Sequence, residues 1–219
     1  KSQYTTLGFS LNTKQMYWNA DIKFYQGYVI PDAYKWNDSL NKDSSSFHPN
    51  LTTVNFAINA WHFKTDNYKM PTSINKVGDV KVSVGSYFQK FSLSIFGVGD
   101  NNQTITPTEL IDTTQTRSSA RSATSLDFAF VPGYSYVHKH NNWRVAGVAG
   151  LGLALQAKFF EAKGITRGFL GLAPRFDLRF LTGYSKSRYF VLLVSSLEYK
   201  NIVYKEMRYN QTLFSIYLV

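Results

Sequence analysis

The sequence has no cysteine among its 219 residues, and it has only six prolines. The absence of cysteine excludes a disulfide scaffold and a thiolate metal site, and it suits a chain that crosses an oxidising space. The first eleven residues, Lys1 to Leu11, lack the apolar core of a signal peptide. We therefore expect the numbering to begin after a processed or trimmed N-terminus.

The sequence also lacks a dense run of basic residues, although its formal net charge is +10. Its 24 Lys and Arg residues are scattered singly, and no nucleic-acid-binding motif accompanies them. A nucleic-acid interface needs basic residues clustered on one face or along one element. We therefore predict that nucleic acid is not a partner.

Aromatic residues are abundant, and apolar and polar residues alternate along several long segments. The chain contains 15 Tyr, 17 Phe and 4 Trp, a composition that favours strands. In MYWNADIKFYQGYVI, residues 16–30, the even positions are mostly apolar and the odd positions carry Asn19, Asp21 and Lys23. This period of two predicts a strand with one apolar and one polar face. The pattern returns in residues 50–63, 125–136, 167–180 and 212–219.

The most apolar segment, VAGVAGLGLALQA at residues 145–157, also predicts a strand. It is too short for a membrane-spanning helix, which needs about 20 apolar residues, and its three glycines disfavour any helix. Read with a period of two, its leucines share one face. We expect Gly150, Gly152 and Ala154 on the other face to leave room for the side chains of Arg175 and Arg179.

Weaker segments at 3–12, 79–98 and 186–199 raise the total to roughly nine strands, many of them longer than usual. A soluble sandwich or a lipocalin-like barrel turns its apolar face inward, whereas a transmembrane barrel turns that face to lipid and encloses polar side chains. The polar face here is too charged for a dry core. We therefore predict an all-β, antiparallel up-and-down transmembrane β-barrel.

The charged residues of this polar face are predicted to form a network in the barrel lumen. Its members are Asp21, Lys23, Asp127, Arg175, Asp177 and Arg179. They could line an anion-preferring passage. We favour a salt-bridge network that plugs the lumen, because a barrel of about ten strands is barely wider than its own side chains. Trp18, Trp61 and Trp143 are predicted to be interfacial anchors.

Residues 1–219 are predicted to form a single barrel domain whose connections alternate between two sides. The predicted periplasmic connections are 11–15, 64–78, 138–142 and 183–187. The predicted outer connections are 31–49, 99–121, 159–166 and 200–206, of which 31–49 and 99–121 are long loops. Only 64–78 is too long for a periplasmic turn. Residue 1 falls on the outer side, so we expect at least one further strand upstream and about ten strands, or alternatively about twelve.

The chain resembles a family of uncharacterised outer-membrane β-barrel proteins of Bacteroidota, described only as a domain of unknown function. The likeness runs from about residue 15 to the end. Its most distinctive pieces are Lys81, Ser83, Gly85 and Ser86 in KVSVGS, the tripeptide Pro132-Gly133-Tyr134, and Gly183-Tyr184. The resemblance implies an outer-membrane location and a barrel fold, and it implies no catalytic residue.

No local motif assigns a chemical reaction to the chain. His138 and His140 have the spacing of metal ligands on a strand, but a third ligand is missing and they fall in a predicted turn. His62 lies near a strand end, yet no motif selects a serine nucleophile to accompany it. We therefore predict no catalytic residue, no cofactor and no metal.

Three functions are consistent with this barrel. The first is a non-enzymatic structural or accessory subunit of a larger cell-envelope complex, embedded in membrane lipid and bound to other outer-membrane proteins. The second is a small pore or ligand-binding barrel, and the third is a lipid-active outer-membrane enzyme. The sequence favours the first, because the predicted lumen is plugged and no motif supports catalysis.

Overall fold

The chain forms one antiparallel β-sheet. A computed structural model describes residues 3–30, 46–66, 68, 70, 83–100, 103–106, 119–162, 164–186, 189–203 and 208–218. The strands are β1 (Gln3–Asn12), β2 (Met16–Ile30), β3 (Ser46–Phe63), β4 (Val84–Gly99), β5 (Ala120–His140), β6 (Trp143–Ala162), β7 (Ile165–Lys186), β8 (Tyr189–Val203) and β9 (Arg208–Leu218). Each strand pairs with the next one along the chain. The prediction of an all-β, antiparallel up-and-down sheet is confirmed.

The connections between strands alternate between the two ends of the sheet. We call one end the turn end; its connections are 13–15, 64–83, 141–142 and 187–188. The other is the loop end, with connections 31–45, 100–119, 163–164 and 204–207. This order follows the predicted alternation, although several strands are longer than expected. The predicted long loops 31–49 and 99–121 lie largely outside the described residues. No helix in the described part of the chain is long and apolar enough to cross a membrane.

The sheet curls into a half-barrel with a concave and a convex face. Trp61 of β3 contacts Asp177 of β7, four strands away, at 2.6 Å between indole Nε1 and a carboxylate oxygen. A flat sheet would hold β3 and β7 about 19 Å apart, since neighbouring strands are about 4.8 Å apart. The contact therefore requires strong curvature.

Large apolar side chains cover the convex face. They alternate along each strand with the residues of the concave face, as the period of two requires. Those that are more than half exposed include Leu7, Phe9, Tyr87, Phe128, Leu151, Leu153, Leu155, Leu170, Leu172, Phe214, Ile216 and Leu218. An apolar surface this extended is unusual for a protein surrounded by water.

The concave side is layered, with polar residues between two apolar clusters. The turn-end cluster consists of Tyr17, Trp61, Phe63, Tyr68, Met70, Phe88, Val137, Ala146, Val148, Leu181, Leu192 and Val194. The loop-end cluster consists of Leu51, Phe96, Val98, Ile105, Ala120, Ala123, Phe160, Ala162 and Ile202. Buried polar residues between them include Asn55, Asn59, Ser94, Ser125, Asp127, Gln156, Lys158, Arg175 and Asp177.

Both faces of the first strand are exposed. All ten residues of β1 are exposed, and within the described residues β1 pairs only with β2. Phe9 and Leu11 are among its exposed apolar side chains. The sheet therefore has an uncovered edge strand at β1.

The apolar segment 145–157 lies in β6, so its assignment as a strand is confirmed. The expected role of Gly152, which was to leave room for the two arginine side chains, is wrong. Gly152 is paired with Arg175, but a Cβ atom at Gly152 would overlap the carbonyl oxygen of Phe130 and lie 2.7 Å from Val131 Cα. Gly152 thus permits a close approach of the β5 backbone, beside Pro132, and does not open space for the arginines.

Gly152→Ala is expected to lower the free energy of unfolding by about 1–3 kcal/mol, because the added methyl group must displace β5 backbone. Gly147→Ala is the matched control on the same strand, since no atom lies within 4 Å of its added Cβ. We expect that control to change stability by less than about 0.5 kcal/mol. Urea unfolding followed by tryptophan fluorescence measures both, and equal effects of the two substitutions would disprove the close-approach role.

Candidate functional site

Asp177 is the centre of a buried polar network on the concave face. Its carboxylate accepts a hydrogen bond of 2.6 Å from Trp61 Nε1 and one of 3.0 Å from Arg179 Nε. Lys90 Nζ lies 3.4 Å from the same carboxylate. Trp61 of β3, Lys90 of β4 and Arg179 of β7 thus all contact the buried negative charge of Asp177.

The ring of Trp61 contacts both of the cations that Asp177 binds. Lys90 Nζ is 4.6 Å from the ring centroid and Arg179 Cζ is 4.7 Å from it. Cations at this distance over an indole face are attracted by the ring quadrupole. The network therefore combines ion pairs, one indole hydrogen bond and two cation–π contacts, all of which hold β3, β4 and β7 together across the concave face.

A second ion pair lies closer to the loop end. Arg175 donates a hydrogen bond from NH2 to Asp127 Oδ2, and Lys158 is close enough to Asp127 to interact electrostatically. At the edge of the network Lys23 Nζ lies 3.7 Å from Asp21 Oδ1. The structure places all six residues of the predicted lumen network on the concave face, where they include the ion pairs Arg179–Asp177, Arg175–Asp127 and Lys23–Asp21.

A cavity of about 50 Å³ lies beside these ion pairs. Lys90, Arg175 and Arg179 line it together with Asp21, Asn59 and the hydroxyl groups of Ser92 and Ser94. This volume accommodates a few water molecules, which need polar partners of this kind. The polar layer thus contains a pocket large enough for a few water molecules.

The long connection after β3 folds back over the turn end of the concave face. Tyr68 and Met70 are buried in the turn-end cluster, and the Tyr68 ring packs 4.8 Å from the Phe63 ring. Ser135 Oγ donates to the carbonyl of Gly147 at 3.1 Å and is bonded to the Tyr68 hydroxyl. The unexpected length of connection 64–78 therefore serves, in its described residues, to cover this end of the interior.

Burial raises the pKa of Tyr68 to about 12 from an ordinary value of 10.0. The folded state therefore favours the neutral phenol, so its contribution is fully present below pH 10 and is lost as the pH rises through about 12. We expect the free energy of unfolding to fall by roughly 2–3 kcal/mol more in the wild type than in Tyr68→Phe over this interval. Tyr87→Phe, at an exposed tyrosine, is the control. Equal alkaline losses in wild type and Tyr68→Phe would show that Tyr68 is not the responsible group.

The three predicted tryptophan anchors divide between the two faces. Trp18 and Trp143 are exposed near the turn end, where Tyr87, Tyr134 and Tyr136 are also exposed. Trp61 is fully buried on the concave side. The assignment of Trp61 as an interfacial anchor is corrected, because its indole group binds Asp177 instead of facing outward.

A buried histidine–aspartate pair, His48 and Asp100, lies at the loop end of the sheet. His48 Nδ1 lies 3.3 Å from Asp100 Oδ2, and the other ring nitrogen lies 3.0 Å from the carbonyl oxygen of Thr104. The second oxygen of Asp100 accepts a hydrogen bond from the Gln103 amide at 2.9 Å. A catalytic histidine would direct its free nitrogen to a nucleophile. Here that nitrogen is bonded to main chain, so the pair joins β3 to the β4–β5 connection.

The two histidines with metal-like spacing lie on the last residues of β5. His138 Nδ1 is 3.0 Å from Ser83 Oγ, and the turn that follows β5 is limited to residues 141–142. In the part of the chain that the structure describes, no three His, Cys, Asp or Glu side chains are grouped as metal ligands. The sequence also left Lys90 and Lys158 unassigned, although both belong to the polar network.

A family model for a domain of unknown function, DUF4421, matches residues 1–218. The chain belongs to the DUF4421 family. No curated protein matches it, and no solved structure matches it. The DUF4421 domain described here is thus a curled antiparallel sheet with a buried charged layer, and its function must be inferred from that arrangement.

Proposed function

We propose that this DUF4421 protein is an integral outer-membrane β-barrel that does not conduct ions and acts as a structural or accessory subunit of a larger envelope complex. The observation that carries the proposal is the reversed polarity of the sheet. Its exposed convex face is apolar, and its concave side contains ion pairs. This distribution suits a sheet surrounded by lipid.

The strand lengths and the aromatic residues support a membrane location. A tilted transmembrane strand needs about 9–11 residues, and the strands from β2 to β8 have 15 to 22. Aromatic side chains such as Trp18, Tyr134 and Trp143 are exposed near the turn end. Tyr and Trp concentrate at the level of lipid headgroups. Three of the four turn-end connections have two or three residues, as periplasmic turns do, so we assign the turn end to the periplasmic surface.

The proposed barrel is closed by about ten strands, or alternatively by about twelve. Closure removes the exposed backbone groups of sheet edges, which lipid cannot satisfy. In this proposal at least one further strand lies between β1 and β9. The exposure of both faces of β1 supports this step, because a strand with a neighbour on each side and a filled interior would be covered on its inner face.

The layered interior supports a barrel without a pore. An ion that entered from either end would have to pass an apolar cluster, and then the ion pairs of Asp127 and Asp177. Such interiors resist ion passage because a desolvated ion is costly to bury. A non-conducting barrel suits a scaffold, and the outer loops 31–49 and 99–121 are its proposed contact segments.

The decisive experiment combines planar-bilayer recording with mild detergent extraction. We expect purified protein to insert into bilayers without stable ion currents, and we expect other envelope proteins to co-purify with it. Stable currents would favour a small anion-conducting or anion-binding barrel. The cavity beside Lys90, Arg175 and Arg179 is the observation that favours this second candidate. Recovery of the barrel alone would contradict the accessory-subunit role.

A further inference from the structure

Two adjoining grooves lie side by side on the convex face. The first is lined by His62, Lys64, Tyr87, Phe88, Gln89, Pro132, Gly133 and Tyr134. The second is lined by Pro132, Gly133, Ala149, Gly150, Leu151, Phe176 and Leu178. Pro132 and Gly133 belong to both. The combined depression, which we call the β3–β7 groove, crosses five strands and is roughly 19 Å long at an ordinary strand spacing.

The floor of the β3–β7 groove is low because the side chains there are small. Gly133 is paired with Gly150 across β5 and β6, and Ala149 is the outward-facing residue beside them. A Cβ atom at Gly133 would overlap the carbonyl oxygen of Ala149 and the Phe88 ring of the turn-end cluster, so this glycine faces the concave side and adds no side chain to the groove. Larger side chains, among them those of Tyr87 and Leu151, border this floor.

The two ends of the groove differ in polarity and in position along the strands. One end lies at the turn end, where β3 stops, and it carries His62, Lys64 and Gln89. The other end lies in the middle of β6 and β7 and carries Leu151, Phe176 and Leu178. The polar end is therefore at the rim of the sheet and the apolar end is at mid-depth.

The charge of the rim end is positive. Lys64 is exposed, and its backbone amide donates to the carbonyl of Tyr87 at 2.9 Å, which fixes its place at the rim. None of the described residues that line the groove is acidic. The nearby carboxylate of Asp66 accepts a hydrogen bond from Gln15. The rim end thus complements an anion.

We propose that the β3–β7 groove binds one phosphoglycerolipid with an anionic headgroup, with its phosphate at Lys64 and His62 and an acyl chain over Ala149 and Gly133. This inference rests on the proposed membrane location. The length fits, since one leaflet of the hydrocarbon core is about 15 Å thick, and the tilt of barrel strands carries this cross-strand row obliquely through the leaflet. Lysine near a membrane surface contributes about 1 kcal/mol of attraction to anionic lipid, or about fivefold in affinity.

The test is native mass spectrometry of the purified protein released from detergent micelles, after titration with phosphatidylglycerol or phosphatidylcholine. We expect one phosphatidylglycerol per chain, bound more tightly than phosphatidylcholine. Lys64→Gln is expected to lower phosphatidylglycerol affinity about fivefold and to leave phosphatidylcholine affinity unchanged. Lys186→Gln, at an exposed lysine on the same end of the sheet, is the charge control.

Ala149→Leu is the second variant, because it fills the groove from the exposed face without entering the interior. We expect it to abolish the one-to-one complex with either lipid, whereas Ala157→Leu, on the same strand and outside the groove, is expected to bind normally. Equal binding of both lipids, no effect of Lys64→Gln, or displacement by inorganic phosphate alone would overturn the inference. Insertion into lipid vesicles, measured in parallel, separates these results from failure of the membrane proposal.

Discussion

Asp177→Asn is expected to lower the free energy of unfolding by about 3–5 kcal/mol, the cost of leaving buried charges without their partner. Asp177 binds Arg179, Lys90 and the Trp61 indole at once. The asparagine keeps the size of the side chain and can still accept the indole hydrogen bond. The loss therefore measures what the Asp177 charge contributes to binding the two cations, which remain next to the Trp61 ring.

The control is Glu161→Gln, which removes an exposed carboxylate from β6. It is expected to change stability by less than about 0.5 kcal/mol. Lys90→Met in the Asp177→Asn background should recover part of the lost stability, because it removes one of the two positive charges that Asp177 binds in the wild type. An Asp177→Asn effect as small as that of Glu161→Gln would mean that the network does not hold the interior together.

Leu153→Arg is expected to make folding into lipid bilayers less favourable by about 2–4 kcal/mol, the cost of a charged side chain at mid-bilayer on the lipid face of a barrel. Leu153 is 58% exposed and lies in the middle of β6. In water the same substitution at so exposed a position would change stability by no more than about 0.5 kcal/mol. The size of the effect therefore distinguishes lipid from water.

Ile165→Arg is the control, because Ile165 is as exposed as Leu153 but lies at the end of its strand and not in the middle. Ile165 is 57% exposed and is the first residue of β7, at the loop end. We expect a cost of only about 0–1 kcal/mol there, because charged residues are tolerated near the membrane interface. Folding into vesicles titrated with urea measures both variants. Equal small effects at the two positions would indicate that the convex face is surrounded by water.

The strands and their faces could be predicted from the sequence because both follow from local alternation. Asp21, Arg175 and Asp177 lie on the polar face of regular strands, and the structure places each of them on the concave side. Lys90 was missed because its face of β4 mixes polar Ser92 and Ser94 with the buried aromatic side chains of Phe88 and Phe96. On β4 the contrast between the two faces is too weak to identify a polar member.

Trp61 shows how composition can mislead where alternation does not. It shares its face with Asn55 and Asn59, so a period of two places it inside, as the structure does. The general preference of tryptophan for membrane interfaces suggested the opposite side. The hydrogen bond to Asp177 joins residues 116 positions apart, and no local pattern in the sequence carries information about such a partner.

The burial of Tyr68 and Met70 could not be predicted for a similar reason. Their connection follows β3 and has no alternation, and its fit depends on the space that Phe63 and Phe88 leave at the turn end. Gly152 likewise depends on the β5 backbone opposite it. Both features arise from packing between segments that are far apart in the sequence. That packing forms only when the sheet curls.

The central claim, that the convex face contacts lipid, is tested most directly by single-cysteine labelling, because the natural sequence has no cysteine that must first be removed. Leu153→Cys and Leu172→Cys probe mid-strand positions of the convex face, and Asn142→Cys in the β5–β6 turn is the control. In vesicles we expect fluorophores at 153 and 172 to be quenched by brominated lipid and those cysteines to react slowly with a charged maleimide. Reaction as fast as at position 142, without quenching by the lipid, would contradict the proposed membrane barrel.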